Sequence, residues 1–132
     1  MSTGEVEVKI TPTTAVNTKR LETQIQDILE AVHATEAFIA GMDFVEFSAD
    51  QKTIFAVERS LGIMGATSKR LPISFLDKYP AMNWRRIIGI GESLTFGYLE
   101  VDLQTLWEIT QQDLPTLKKL IETVLEEIST AS

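Results

Sequence analysis

Hydrophobic side chains recur in this chain at intervals of three and four residues, from about Thr18 almost to the C-terminus. Because an α-helix has 3.6 residues per turn, residues at these intervals form one apolar stripe along each helix. Stripes joined by short polar connections predict an all-α, up-and-down bundle of about five helices. The stripes of the first, second and last predicted helices are Leu21, Ile25, Ile28, Leu29, Val32, Ala37 and Ile39; Ile54, Val57, Leu61 and Met64; and Leu117, Leu120, Ile121, Val124, Leu125 and Ile128.

Capping residues and helix breakers divide this pattern into segments. The first helix is predicted over about residues 18–40, with Gly41 placed to end it. Ser48 and Gln51 have capping-box spacing, which predicts a second helix from about residue 49 to residue 70. The caps predicted for the three later helices are Asn83, Asp102 and Asp113, the last with Pro115 just inside its helix.

The first 17 residues follow a different pattern. The stretch EVEVKI alternates polar and apolar residues with period two, which is typical of a short strand, and TPTTAVNT resembles a linker. We therefore predict an N-terminal arm over residues 1–17, followed by a helical domain over residues 18–130.

The composition excludes several kinds of site. Cysteine is absent, so the chain has no disulfide, no thiolate metal site and no cysteine nucleophile. The only histidine, His33, lies in the first predicted helix and cannot supply an ordinary zinc site, so it is interpreted as structural or solvent-facing. We expect no metal and no cofactor. No signal pattern or membrane-length apolar stretch occurs, which predicts a cytoplasmic protein.

Two basic pairs lie near predicted helix ends, Lys69 with Arg70 and Arg85 with Arg86. Cations at helix ends can compensate the helix dipole, or they can form a small patch that contacts the phosphates of RNA. The formal net charge of −7 opposes nucleic-acid binding overall, so any RNA binding is expected to be weak.

Three glycines fall within the short stretch GIGESLTFGY, residues 89–98. The stretch lacks a third glycine in register and a preceding strand, so it is not a glycine-rich nucleotide loop. Glycines at these positions indicate either that the backbone approaches another segment closely, or that side chains once important there have been lost.

Several short motifs occur in a characteristic order between about residues 20 and 128. They are RLP, YP followed by WRRI, GY followed by VDL, and DLP near the C-terminus. With these motifs the chain resembles the HepT toxin family, a branch of the HEPN superfamily. The resemblance implies a helical homodimer whose two active sites lie close together at the interface. It also implies metal-independent cleavage of RNA, and a minimal nucleotidyltransferase antitoxin of the MntA type that attaches AMP to a tyrosine beside the active site.

The nuclease motif of that family is an arginine, four to six residues, a histidine, and the modified tyrosine two residues later. In this chain Tyr98 occupies the tyrosine position, Phe96 the histidine position and Gly91 the arginine position. Glu92 follows where the family has a polar residue, and Ala66 stands where a glutamate is usual. Phenylalanine cannot exchange a proton and glycine cannot bind a phosphate, so the motif is degenerate.

The leading hypothesis is a HepT-like dimer that has lost RNase activity and acts as a binding or regulatory partner in a toxin–antitoxin type system. In this hypothesis the glycines mark a dismantled site, and Tyr98 is partly accessible near the two-fold axis. One alternative is an active endoribonuclease, neutralised by the nucleotidyltransferase, that uses displaced residues such as Arg85, Arg86 and Tyr98. Another is a helical oligomerisation module. Trp84, Phe96 and Trp107 offer apolar surface for the predicted homodimer.

Overall fold

The computed structural model describes residues 4–97 and 101–131, with side chains over 18–97 and 101–130. These residues are helical apart from short connections, and no strand occurs among them, which confirms the all-α prediction. No helix within the described ranges is long and apolar enough to cross a membrane. The helices are α1 (Gly4–Phe38), α2 (Phe44–Ser48), α3 (Gln51–Lys69), α4 (Ile73–Lys78), α5 (Trp84–Phe96), α6 (Leu103–Glu108), a π-helical segment (Ile109–Asp113) and α7 (Leu114–Ala131).

The core forms where α1 packs against α3 and α7, and α5 packs against the other side of α3. Burial of these apolar stripes supplies most of the driving force for folding. Trp84 is buried, and its indole Nε1 donates a hydrogen bond to the Tyr79 carbonyl oxygen at 3.1 Å. Trp107 packs against Phe47, with ring centroids 5.3 Å apart. Fully buried core residues include Ile25, Ile28, Val32, Phe47, Val57, Met64, Leu106, Ile109, Leu117 and Ile121.

The first helix begins earlier than predicted. Helical backbone starts at Gly4, so the strand predicted for EVEVKI is wrong. A single short strand would leave its backbone hydrogen-bonding groups unpaired, whereas a helix satisfies them within the segment. The division between an arm and a domain at residue 17 stays a prediction.

The start of α3 also differs from the sequence expectation. The predicted cap Ser48 is the last residue of α2, and an N-cap needs a non-helical backbone. Asp50 caps α3 instead, accepting a hydrogen bond from the Thr53 N–H at 3.2 Å. The pairing of Ser48 with Gln51 is therefore wrong, and the capping box of this region lies at Asp43, where α2 begins.

Three other predicted helix ends are confirmed. Gly41 follows α1 with a φ of 79°, a left-handed conformation that favours glycine. The Asn83 side chain accepts from the Arg86 N–H at 3.1 Å at the start of α5. The Asp102 side chain accepts from the Thr105 N–H at 2.7 Å at the start of α6.

The predicted break between the last two helices is absent. Helical backbone continues from α6 through the π-helical segment into α7, so Asp113 is not a cap. The Leu114 N–H donates to the carbonyl of Ile109, five residues back. Pro115 explains this wide turn, because its ring would crowd a carbonyl in a regular α-helix and it has no N–H to donate.

Candidate functional site

Helices α3 and α5 cross with almost no space between their backbones. A Cβ atom added to Gly91 would lie 2.6 Å from the Cα of Gly65. A Cβ atom added to Gly65 would lie 2.6 Å from the Cα of Gly91 and 2.7 Å from the carbonyl oxygen of Ile87. Non-bonded carbon atoms prefer separations of about 3.5–4.0 Å. The crossing, defined by Gly65 and Gly91, therefore requires glycine on both helices.

The three glycines of residues 89–98 have three different surroundings. Gly91 lies at the crossing, where the backbone approaches another segment closely; whether a side chain has been lost there stays a prediction. Gly97 follows α5 with a φ of 70°, which closes the helix in a left-handed conformation. Gly89 and Gly97 both have nothing within 4 Å of an added Cβ, so Gly89 alone has neither a close neighbour nor a left-handed backbone.

The family histidine position lies at the end of α5. Phe96 is the last residue of this helix and its side chain is 64% exposed. Its neighbour Thr95 faces Gly62 of α3, with 3.4 Å between the Thr95 Oγ1 and an added Cβ at Gly62. Tyr98 lies outside the described residues, so its predicted position near a two-fold axis stays a prediction.

Glu92 forms an ion pair across the crossing. Its carboxylate accepts a hydrogen bond from the Lys69 ammonium at the end of α3. The Lys69 side chain is 62% exposed, so the pair contributes at most about 1 kcal/mol to stability. The negative charge at position 92 neutralises one of the cations that the sequence proposed as a phosphate contact.

Arg86 is turned towards the opposite side of α5. Its Nε lies 3.1 Å from the Asp113 carboxylate in the π-helical segment, and its Nη2 lies 3.9 Å from the Glu108 carboxylate. Burial raises the pKa of Asp113, and the Arg86 guanidinium partly opposes this rise. Arg86 therefore links α5 to the end of α6 and to the π-helical segment.

The remaining predicted residues do not converge on one site. Arg85 is exposed and lines a surface cavity beside Trp84, away from its neighbour Arg86. Arg70 is exposed at the end of α3, and His33 is exposed on α1. The four cations proposed for phosphate binding thus lie in separate surroundings.

One carboxylate near this site has no distinguishing motif in the sequence. Glu58 lies on α3 one turn before Gly62, on the same face, and therefore nearer the end of α5. Partial burial raises the pKa of its carboxyl group. The only sequence signal is its place beside the apolar stripe that contains Val57 and Leu61.

Exposed apolar side chains lie on both helices of the crossing. Phe55 is 59% exposed and Ile63 is 36% exposed on α3, where Ala66 is also exposed. Phe96 is exposed at the last position of α5, and its neighbour Thr95 contacts α3 at Gly62. We call these four residues the α3–α5 face. Within residues 18–97 and 101–130, no group of three histidine, aspartate or glutamate side chains is placed to hold a metal ion.

The chain is similar to a family described as "Ribonuclease HepT-like", whose model matches residues 28–124. A "Probable ribonuclease HepT" of Thermococcus cleftensis is 37% identical over 98 residues, covering 74% of this chain and 89% of the relative. A "Putative RNase" of Methanocaldococcus jannaschii is 32% identical over 100 residues, covering 76% and 92%. A further "Putative RNase", from Caldanaerobacter subterraneus, is 28% identical over 103 residues, covering 78% and 92%. No solved structure matches the chain.

Proposed function

The chain belongs to the HepT-like ribonuclease family, and from this membership we propose that it is a cytoplasmic, dimeric binding or regulatory partner without RNase activity. Its setting in this proposal is a toxin–antitoxin type system. The partner is an MntA-type nucleotidyltransferase or an active relative of the chain itself.

One observation carries the proposal, namely the chemistry of the side chains around the crossing of α3 and α5. General acid–base cleavage of RNA near neutral pH needs a group such as histidine, and Phe96 has no ionisable atom. Stabilising the phosphate needs positive charge, yet Gly91 has no side chain and Lys69 is paired with Glu92. Losing either contribution lowers such a rate by about a hundredfold or more.

The α3–α5 face supports the proposed homodimer. Phe55, Ile63 and Phe96 are exposed apolar residues on these two helices, and exposed apolar residues of this size can contribute to a protein interface. We expect Ile63→Glu to shift the protein towards monomer in sedimentation velocity at micromolar concentration. Ile73→Glu is the matched control, because Ile73 is 75% exposed on α4, outside this face. A wild-type monomer, or equal shifts in both variants, would contradict the dimer.

Cleavage of total tRNA tests the loss of activity. We expect no cleavage by the unmodified protein. Phe96→His introduces the missing proton-transfer group on an exposed position at the end of α5, and Phe55→His introduces the same group on α3 as a control. Weak cleavage gained only by Phe96→His would show that a single group limits the chemistry. Restoring an arginine at Gly91 is a poorer test, because its Cβ would collide with Gly65.

Tyr98 is the proposed site of AMP attachment. Incubation with a cognate nucleotidyltransferase and ATP, followed by mass spectrometry, should place one AMP on this residue. A Tyr98→Phe variant should remain unmodified. Modification at another residue, or none while an active family member is modified in parallel, would refute this part of the proposal.

The second candidate function is an active HepT-type endoribonuclease. The names of the three relatives above favour it, and so does Glu58, a carboxyl group of raised pKa towards the end of α5. In that case the unmodified protein cleaves tRNA, and Glu58→Gln or Tyr98→Phe abolishes the cleavage. Cleavage that survives both substitutions would instead indicate a contaminating nuclease.

A further inference from the structure

A cavity with two arginines lies between the start of the described part of α1 and the end of α3. Its volume is about 400 Å³, within the range of small-ligand sites. Arg20 and Arg70 contribute guanidinium groups, Thr18 and Ser74 contribute hydroxyls, and Gln24 contributes an amide. The Gln24 side chain also donates to the Arg70 carbonyl oxygen at 3.4 Å, which holds the two helices together at this point.

The cavity carries positive charge although the chain as a whole is acidic. No carboxylate among the described side chains lines it. Among the side chains described over 18–97 and 101–130, none forms an ion pair with Arg20 or Arg70. Asp27, one turn beyond Gln24 on α1, lines a neighbouring groove with Arg70 but does not pair with it. The two guanidinium groups are therefore available to an anion.

We propose that this cavity binds the phosphate group of a nucleotide. Arginine guanidinium groups present several N–H donors in a planar fork that matches phosphate oxygens, and hydroxyl and amide groups complete such a set. Leu21 and Pro72 form an apolar wall beside these donors, against which a sugar or base can lie. A mononucleotide and a nucleotide within an RNA strand share this chemistry.

The cavity is separate from the degenerate motif. Of the motif positions, Gly91 contacts α3 at Gly65, about 7.5 Å along the helix before Arg70, and neither Gly91 nor Phe96 lines the cavity. All of the described lining residues belong to one chain, so binding by them requires neither cleavage nor a dimer. The inference therefore goes beyond the proposed function and fails or succeeds independently of it.

Binding of three probes tests the site: a short 3′-fluorescein RNA by anisotropy, and AMP and inorganic phosphate by calorimetry. We expect the double variant Arg20→Gln, Arg70→Gln to weaken binding at least tenfold. Its control is Arg59→Gln with Lys119→Gln, which removes the same charge from positions outside the cavity and should weaken binding less than twofold. The salt dependence of RNA binding should also become shallower, by about 0.7 in log–log slope for each RNA phosphate that the variant no longer neutralises.

The probes distinguish the two sources of phosphate. RNA binding that AMP does not displace, but that the cavity variant loses, identifies a phosphate within RNA. AMP binding without RNA binding identifies a free nucleotide. Absence of binding to all three probes, or equal losses in the cavity and control variants, would overturn the proposal. The Arg70→Lys variant keeps the positive charge but lacks the planar guanidinium group. We expect it to lose binding affinity to an intermediate degree, which separates specific recognition from misfolding.

Discussion

Helix α5 is held in two different ways on its two sides. Towards α3, Gly91 meets Gly65 and the two backbones are in contact, with no side chain between them. Towards α6 and the π-helical segment, the long side chain of Arg86 reaches the carboxylates of Glu108 and Asp113. The contact of Gly91 with Gly65 requires that neither residue has a side chain. The contacts of Arg86 depend on charges at the ends of flexible side chains.

The difference predicts how each side responds to change. Close packing has a steep repulsive limit, so even one added methyl group must displace a helix. An ion pair that is half-exposed weakens gradually with pH, salt and substitution. The stability of the protein should therefore depend on the size of the side chain at position 91 and on the charge of the side chain at position 86.

The largest effect is expected at the crossing. Gly91→Ala should lower the free energy of unfolding by about 2–3 kcal/mol, because its Cβ would lie 2.6 Å from the Gly65 Cα. Gly89→Ala, two residues earlier in α5, meets nothing within 4 Å and should raise it by about 0.5–1 kcal/mol. Urea unfolding measures both. Similar changes in the two variants would mean that the backbones are not in contact.

A smaller loss is expected on the opposite side. Arg86→Gln should cost about 1–2 kcal/mol at pH 7, between the values for exposed and buried ion pairs, because it leaves the Asp113 carboxylate without its nearest cation. Urea unfolding at pH 7 measures this loss. Adding Asp113→Asn to Arg86→Gln should recover most of it, and no recovery would show that Arg86 acts through packing.

The pH dependence of that variant follows from Asp113. Burial already holds its pKa above the ordinary 3.8, and removing Arg86 removes the charge that opposes this rise. A carboxyl group with a raised pKa in the folded state destabilises the protein once it ionises. The cost of Arg86→Gln should therefore grow as the pH rises through that pKa and be smallest in acid, where Asp113 is protonated. A cost that is the same at pH 3 and pH 7 would contradict this assignment.

The smallest effect is expected at the pair of Lys69 with Glu92. Both substitutions, Lys69→Gln and Glu92→Gln, should change the free energy of unfolding by less than about 1 kcal/mol, because Lys69 is largely exposed. A double-mutant cycle gives the coupling energy, which should fall as salt is added. A coupling that persists in molar salt would place the pair in a less accessible environment than the structure shows.

Local features of the fold were predictable from the sequence. Gly41, Asn83 and Asp102 were assigned correctly because a cap depends on one side chain and the turn beside it. The same reasoning failed at Ser48 and at Asp113. Both residues have side chains that suit an N-cap, but both lie within helical backbone. The local sequence pattern does not show that the helix continues through them.

The contacts that define the candidate site were not predictable in this way. Gly65 and Gly91 belong to different helices, and Lys69 is 23 residues from Glu92. Hydrophobic periodicity predicts which face of a helix is buried, but it does not predict which residues of two helices meet. The resemblance therefore assigned Gly91 to the arginine position of the family motif without indicating that a second glycine occupies the space beside it.

The crossing also limits how this chain can change over generations. A single codon change that gives residue 91 a side chain brings a collision with Gly65 before it brings any new chemistry. Its effect on fitness thus depends on earlier substitutions that move α3 away from α5, which is epistasis in a physical form. Phe96 is exposed, so a substitution there does not depend on earlier substitutions around it. Of these two positions, we expect residue 96 to vary freely among descendants and residue 91 to change only after its surroundings have changed.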